Sequence, residues 1–246
     1  MASRCAVVFD FDGTLTPKFH VSLFNVVEKG VLSEEYLKET AVLRNKYLPK
    51  AMNGIITHEE EIAWLTENIN VFIKAGTTIN QIKHALKDVR LRNSAVDCMA
   101  VLKDKMIPMA VISYGVYQFI EIVLENNHAL KLVDSIYATK LEIDRDSGKV
   151  IGFKSDTILL PKQKGEASLH FAKSVRVEKG KILAVGDSLV DSLLGSSKEN
   201  RFGIAEDETQ LKRIQGVMGE CAITKDFSPA ASWLLRKIDN NNKTPA

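Results

Sequence analysis

The run C-A-V-V-F-D-F-D-G-T-L-T at residues 5–16 joins a short apolar stretch to two aspartates one residue apart, then a glycine and a threonine. The apolar run and its abrupt polar boundary read as a buried parallel strand, with Asp10 at its carboxyl end and a sharp turn at Gly13. Strand side chains alternate, so Asp10 and Asp12 would face the same way if the strand persisted. Two carboxylates at a strand tip repel each other and lose hydration. They are tolerated when a cation lies between them or when one carries a proton. Asp-Gly alone is an ordinary turn signal, but it does not account for an aspartate placed directly after V-V-F.

Outward from this stretch the chain changes character. Between about Phe19 and Leu91 the pattern is helical, with no convincing strand. Ser33 precedes Glu34 and Glu35, which suit the first turn of a helix. Thr57 and Glu60 have capping-box spacing ahead of Ile62, Leu65, Ile69, Phe72 and Ile73, and Gly76 ends that apolar face. A further helix begins at Thr77 or Thr78. These residues read as a small helical bundle inserted after the first strand.

From Asn93 onward strands and helices alternate. A helix at 95–105 leads to the strand I-P-M-A-V-I-S (107–113) and a helix from Gly115 to Asn126. The short strand S-I-Y-A-T follows, then a hairpin from Lys140 to Phe153 about Asp146-Ser147-Gly148. A helix from Gly165 to Lys173 precedes the strand K-I-L-A-V-G-D (181–187) and a helix after Ser188. Weaker strands at 201–205 and 221–224 and a helix at 230–238 complete the chain, with residues 239–246 expected to fray. Such alternation implies an α/β fold with a Rossmann-like, doubly wound, mostly parallel sheet that binds ligands beyond the carboxyl ends of its strands. The expected division is a core of residues 1–16 and 92–246, with a helical domain at 17–91.

Composition excludes several functions. The 246 residues are 45% hydrophobic and 26% charged with a net charge of +2, which gives no electrostatic case for nucleic acid or a membrane surface. No run is long enough to span a bilayer. Cys5, Cys98 and Cys221 are isolated and form no metal-type pair, so they read as reduced thiols of a cytoplasmic protein. His58, His84, His128 and His170 are scattered and read as surface or core residues.

Three strands end in polar residues that a sheet does not require: Asp10; Ser113-Tyr114-Gly115; and Gly186-Asp187-Ser188 with Asp191 beyond. All three tips should meet on one edge. A serine followed by glycine and a helix start offers a hydroxyl and free N–H groups to an anion such as phosphate.

Asp10-Phe11-Asp12-Gly13-Thr14, Val111-Ile112-Ser113, Lys164 and Gly186-Asp187-Ser188-x-x-Asp191 together resemble the four motifs of the haloacid dehalogenase (HAD) superfamily. The second aspartate marks its phosphatase branch. The helical insert resembles a type C1 cap. The insert, the hairpin and Gln163-Lys164-Gly165-Glu166 are similar to the phosphoserine phosphatase-like subgroup, whereas Gly152-Phe153-Lys154 and the serine of Gly-Asp-Ser also resemble cytosolic pyrimidine 5′-nucleotidases. The resemblance implies a Mg²⁺-dependent phosphomonoesterase acting on a small phosphorylated metabolite. Asp10 would be the nucleophile and Asp12 the general acid and base. The Asp10 carboxylate, the Asp12 carbonyl and Asp187 would hold Mg²⁺. Ser113, Gly115 and Lys164 would bind the phosphoryl group, with Thr14 bracing the turn and Asp191 supporting the metal site. Lys162 carries the same charge as Lys164, and spacing alone does not separate them.

Where phosphoserine phosphatases place an acidic residue, this chain has Phe19 or a neighbour. The arginine position falls within Ala63-Trp64-Leu65, where no arginine lies. Phe19, Trp64 and Tyr114, with Lys18 and His20 as polar candidates, suggest a substrate carrying a ring or other apolar group. A nucleoside monophosphate is therefore an alternative substrate, and a phosphotransferase an alternative reaction. A receiver-like signalling module is the non-enzymatic reading, opposed by Asp12 and the enclosing insert.

Overall fold

In the computed structural model, residues 5–17, 22–52 and 55–243 are described. Six parallel strands form one sheet in the order β3-β2-β1-β6-β7-β8, comprising β1 (Ala6–Phe9), β2 (Met109–Val116), β3 (Ser135–Thr139), β6 (Ile182–Gly186), β7 (Arg201–Ala205) and β8 (Glu220–Ile223). β1 lies between β2 and β6, with Phe9 opposite both Val111 and Val185. A strand with neighbours on both edges and helices on both faces has no solvated side, which is why its sequence is uniformly apolar. Val7 and Phe9 join one core with Trp233 and Phe119, and Ala6 and Val8 join another with Phe171 and Leu194. Helices α5 (Ala95–Asp104), α6 (Tyr117–Asn126) and α9 (Ser228–Lys243) contribute to the first core, and α7 (Lys164–Ser174) to the second. A short α8 (Glu208–Ile214) packs on β7 and β8.

Between β1 and α5 lie α1 (Leu23–Val31), α2 (Glu34–Met52), α3 (His58–Lys74) and α4 (Ile79–Leu86). The Thr57–Glu60 capping box forms, and a second one, Thr78 with Gln81, opens α4. α1 packs on α4 and α2 on α3. The chain leaves the sheet at Leu15 and returns at Arg92, whose N–H donates to the Leu15 carbonyl at 2.7 Å. The buried Arg92 guanidinium donates to the carbonyls of Gly13, Thr14 and Thr224 and to Glu206, clamping this root. Phe24, Phe72 and Phe119 meet with centroids 5.6–6.5 Å apart, joining α1 and α3 to α6. The hairpin, β4 (Leu141–Ile143) with β5 (Val150–Phe153), packs on α3. The Ile79 N–H donates to Gly148 O at 2.8 Å, and the Val150 N–H to Thr77 O at 2.9 Å.

Three expected boundaries move. β2 continues to Val116 where a helix was expected from Gly115, because a register irregularity against β3 between Ile112 and Val116 absorbs the Ser113-Tyr114-Gly115 bend within the strand. After Ser188 the chain forms a 3₁₀ segment, Leu189–Leu193, instead of an α-helix. The Asp191 carboxylate draws in the N–H groups of Asp187 and Ser188, which tightens the turn. Finally, α9 runs to Lys243 through residues expected to fray. Its last turns need only their own backbone bonds, and Lys105 lies 3.6 Å from Asp239.

Candidate active site

Three strand tips and one helix start converge on a cavity of about 370 Å³. Asp10 leaves the end of β1, its N–H donating to Val185 O at 3.0 Å. Lys164, the first residue of α7, donates to Asp10 Oδ1 at 2.6 Å and Asp191 Oδ1 at 2.7 Å. The other oxygen of Asp191 accepts from the N–H groups of Asp187 and Ser188 and from the Ser188 hydroxyl. Gly186 makes that approach possible, since a Cβ there would fall 2.2 Å from the Asp191 Cβ. The Thr14 hydroxyl braces Asp10 Oδ2 at 3.2 Å. Gly13 has φ +82, and a Cβ on it would lie 2.5 Å from Asp187 Oδ2, so both turn geometry and space require glycine.

The electrostatics follow from burial. Burial raises the Asp10 pKa well above the usual carboxylate range. Asp191 and Asp187 add to this and Lys164 opposes it. Burial works against the Lys164 charge, but Asp10 and Asp191 outweigh it and hold the ammonium above its ordinary value. Asp12 is raised to about 6, by burial first, while the Leu23 N–H that it accepts at 3.2 Å pulls the other way.

Carboxylate oxygens of Asp10, Asp187 and Asp191 lie within 4.8 Å of one another. Hard oxygen donors around one ammonium suit a hard divalent cation. Asp191 is saturated by Lys164 and three other donors, which leaves Asp10 and Asp187 as the carboxylates suited to a metal. Gln210, from α8, donates to both the carbonyl and the carboxylate of Asp187 and orients it.

Ser113 is buried, and its Oγ accepts from the Gly115 N–H at 3.1 Å. Tyr114 and Trp64 line the cavity, Trp64 stacking on Tyr47 with centroids 5.8 Å apart and planes at 21°. Lys162 is exposed, whereas Lys164 reaches the carboxylates. Lys18, Phe19 and His20 lie outside the described residues. The burial of Cys5 and Cys98 pushes their thiols up to about 11 and about 12, leaving them unreactive.

No arginine stands at 63–65, but Arg44, on α2, which no sequence signal singled out, lines the cavity together with Glu28 and Asn25 from α1. Arg44 Nη2 donates to Glu28 Oε2 at 2.5 Å and Asn25 Oδ1 at 2.8 Å. These three residues, Gln210 and Arg92 belong to no strand tip and no recognisable spacing, so only folding brings them to the site.

Residues 10–212 match the profile of the pyrimidine 5′-nucleotidase (UMPH-1) family. The chain belongs to that family. Its fold is that of HAD-type phosphatases, and the pyrimidine 5′-nucleotidase family makes it a phosphatase of this type. Cytosolic 5′-nucleotidase IIIB bound to cytidine is 20% identical, with TM-score 0.74 over 98% of this chain and 87% of that one. A phospho-aspartyl intermediate analogue of phosphoserine phosphatase is 19% identical, with TM-score 0.67 over 94% and 99%. A HAD family hydrolase from Salmonella enterica subsp. enterica serovar Typhi is 16% identical, with TM-score 0.70 over 97% and 72%. No curated protein sequence matches significantly. Among the described residues of this family member, no helix is long and apolar enough to cross a membrane.

Proposed function

We propose that the protein hydrolyses small phosphate monoesters, nucleoside 5′-monophosphates in preference to phosphoserine, through a phosphoryl group carried on Asp10. The observation that carries this reading is the buried Asp10–Lys164–Asp191 bridge at the floor of a cavity that has aromatic side chains elsewhere in its wall. A Mg²⁺ ion would be held by the carboxylates of Asp10 and Asp187 and the Asp12 carbonyl, and when bound it would offset charge on the phosphoryl oxygens.

The chain's own groups supply the rest. The Asp10 carboxylate attacks phosphorus, and the bond to the leaving oxygen breaks as Asp12 protonates it. Asp12, now a carboxylate, takes a proton from water, which attacks the phosphoryl group and returns Asp10. A side chain poised near pH 6 suits both tasks. An ammonium has three N–H donors, and Lys164 gives two to carboxylates, so a third remains for a phosphoryl oxygen. Ser113 Oγ accepts from Gly115, which leaves its own O–H to donate to the same group. The helices at 22–91 act as the cap, their motion excluding water from phosphoryl transfer. The Trp64–Tyr47 stack offers a flat apolar wall to a ring.

The test is a Mg²⁺-supplemented screen of phosphate esters combined with trapping on Asp12→Asn. p-Nitrophenyl phosphate should give that variant a burst of about one equivalent of nitrophenol, because nitrophenolate leaves without a proton whereas water still needs the base. The retained phosphate should be labile to hydroxylamine. Wild-type turnover by Asp12→Asn on both alkyl and aryl esters would remove Asp12 from the mechanism. Phosphoserine exceeding every nucleotide in kcat/KM would overturn the substrate reading.

A further inference from the structure

The wall that α1 and α2 give to the cavity carries a polar arrangement that the phosphoryl chemistry does not use. Arg44 spends one nitrogen, Nη2, on Glu28 and Asn25. Its Nε and Nη1 have no hydrogen-bond partner among the described residues. The side chain is 38% exposed, whereas that of Glu28 is 5% exposed. A buried carboxylate and an amide oxygen thus hold Nη2 and leave the Nε–H and Nη1–H groups as unspent donors. The amide nitrogen of Asn25, whose oxygen is taken by Arg44, is a further donor beside it. Asn68 also lines the cavity and donates to the Trp64 carbonyl at 2.8 Å, leaving its amide oxygen as an acceptor.

We infer that Arg44, oriented by Glu28 and Asn25, is a specificity-determining residue that takes a neutral carbonyl-bearing group of the substrate and discriminates against a carboxylate. The inference rests on the phosphatase reading for its substrate but not for its chemistry. Glu28 already balances the Arg44 charge. A substrate carboxylate at the guanidinium would bring a second anion beside Glu28 in a partly desolvated site, which is unfavourable. A neutral carbonyl oxygen accepts from one of the unspent N–H groups and leaves the pair balanced. The pair therefore determines which class of phosphate ester fits: one whose far end accepts hydrogen bonds without carrying charge.

Two variants and two readouts test this. Arg44→Met should raise KM for uridine 5′-monophosphate about 10–100-fold, the worth of a hydrogen bond to a charged group, with a much smaller change in kcat. Calorimetry with uridine, which has no phosphate, should show wild-type binding that Arg44→Met weakens about as much. Glu28→Gln leaves the arginine charge unbalanced, so the kcat/KM ratio of phosphoglycolate to uridine 5′-monophosphate should rise ~10-fold or more. Circular dichroism checks the fold of this buried variant, and the half-exposed Arg44→Met carries the test if Glu28→Gln does not fold. Uridine binding that is absent in the wild type or unaffected by Arg44→Met overturns the inference. So does an equal loss of kcat for all esters, which marks Arg44 as merely structural. Uridine binding that depends on Arg44, in a protein that hydrolyses no ester, would instead sink the phosphatase reading and leave this one standing.

Discussion

At the floor of the cavity the Lys164 side chain is 5% exposed and bonded to carboxylates from two other parts of the sheet edge. In the helical wall Arg44 is 38% exposed and held by side chains of one neighbouring helix. The floor is over-determined: Asp191 fixes Lys164, the turn after β6 fixes Asp191, and Gln210 fixes Asp187. A group held by several independent bonds keeps its position through a reaction, so stabilisation of developing charge costs little reorganisation. The helical wall is made of long side chains on helix surfaces, which shift with small changes in packing. On the proposed function, rate would depend on the first kind of construction, and choice of substrate would be tuned through the second without disturbing it.

Substitutions at the floor should therefore act on the chemical step and on folding together. The largest effect is expected for Asp10→Asn, with a loss of about 10⁴-fold or more in kcat, as for removal of a nucleophile, and no burst or trapped phosphate. Residual turnover near wild type would break the assignment of the floor. Lys164→Met should follow, with kcat reduced about 10²–10³-fold. Two buried carboxylates would lose their common partner, and chelator-treated protein should lose ~3–5 kcal/mol in urea unfolding. An unchanged urea midpoint would show that the bridge is not a stabilising pair.

A gentler test concerns the metal. Mg²⁺ at a hundredfold excess over its Kd should stabilise the wild type by ~2.7 kcal/mol, and this increment should vanish in Asp187→Asn. An Asp187→Asn protein that Mg²⁺ stabilises as much as the wild type would move the metal elsewhere. Smallest of all, Thr57→Ala removes a side-chain cap from α3, the helix that bears Trp64, and should cost ~1 kcal/mol of stability. Its kcat should stay close to wild type. A large fall in kcat would mean that the helices govern chemistry as tightly as the floor does, erasing the distinction between floor and wall.

What could be read from the sequence divides along the same line. β1, β2 and β6 were legible because buried parallel strands are apolar throughout and break sharply at their polar tips, and so Asp10, Ser113 and Asp187 stood out. Lys164 was found through its neighbours Gly165 and Glu166, and the structure adds the bonds that Lys162 lacks. The α3 cap was legible because a capping box is local. Arg44 and Glu28 were not: they are a charged pair on helix surfaces, and in sequence such residues look like any solvated face until tertiary packing closes a cavity over them. Arg92 and Gln210 were hidden for a related reason, since each bonds to backbone or carboxylate far away in the chain. The expected helix after Ser188 is a 3₁₀ segment, although Ser188 and Asp191 form the capping box that opens it.

The seam between the hairpin and the start of α4 has a practical consequence. Backbone amides of Ile79 and Val150 are donated across it, one in each direction, between a helix of the insert and a hairpin that follows β3. If the helices swing away from the sheet alone, both bonds must break, and the two amide protons should exchange with deuterium together, with the same opening free energy. If the hairpin travels with the helices, both stay protected while the active site opens. Two protons, observed by hydrogen exchange in the presence and absence of a bound phosphate analogue, thus report which part of the molecule moves as a unit.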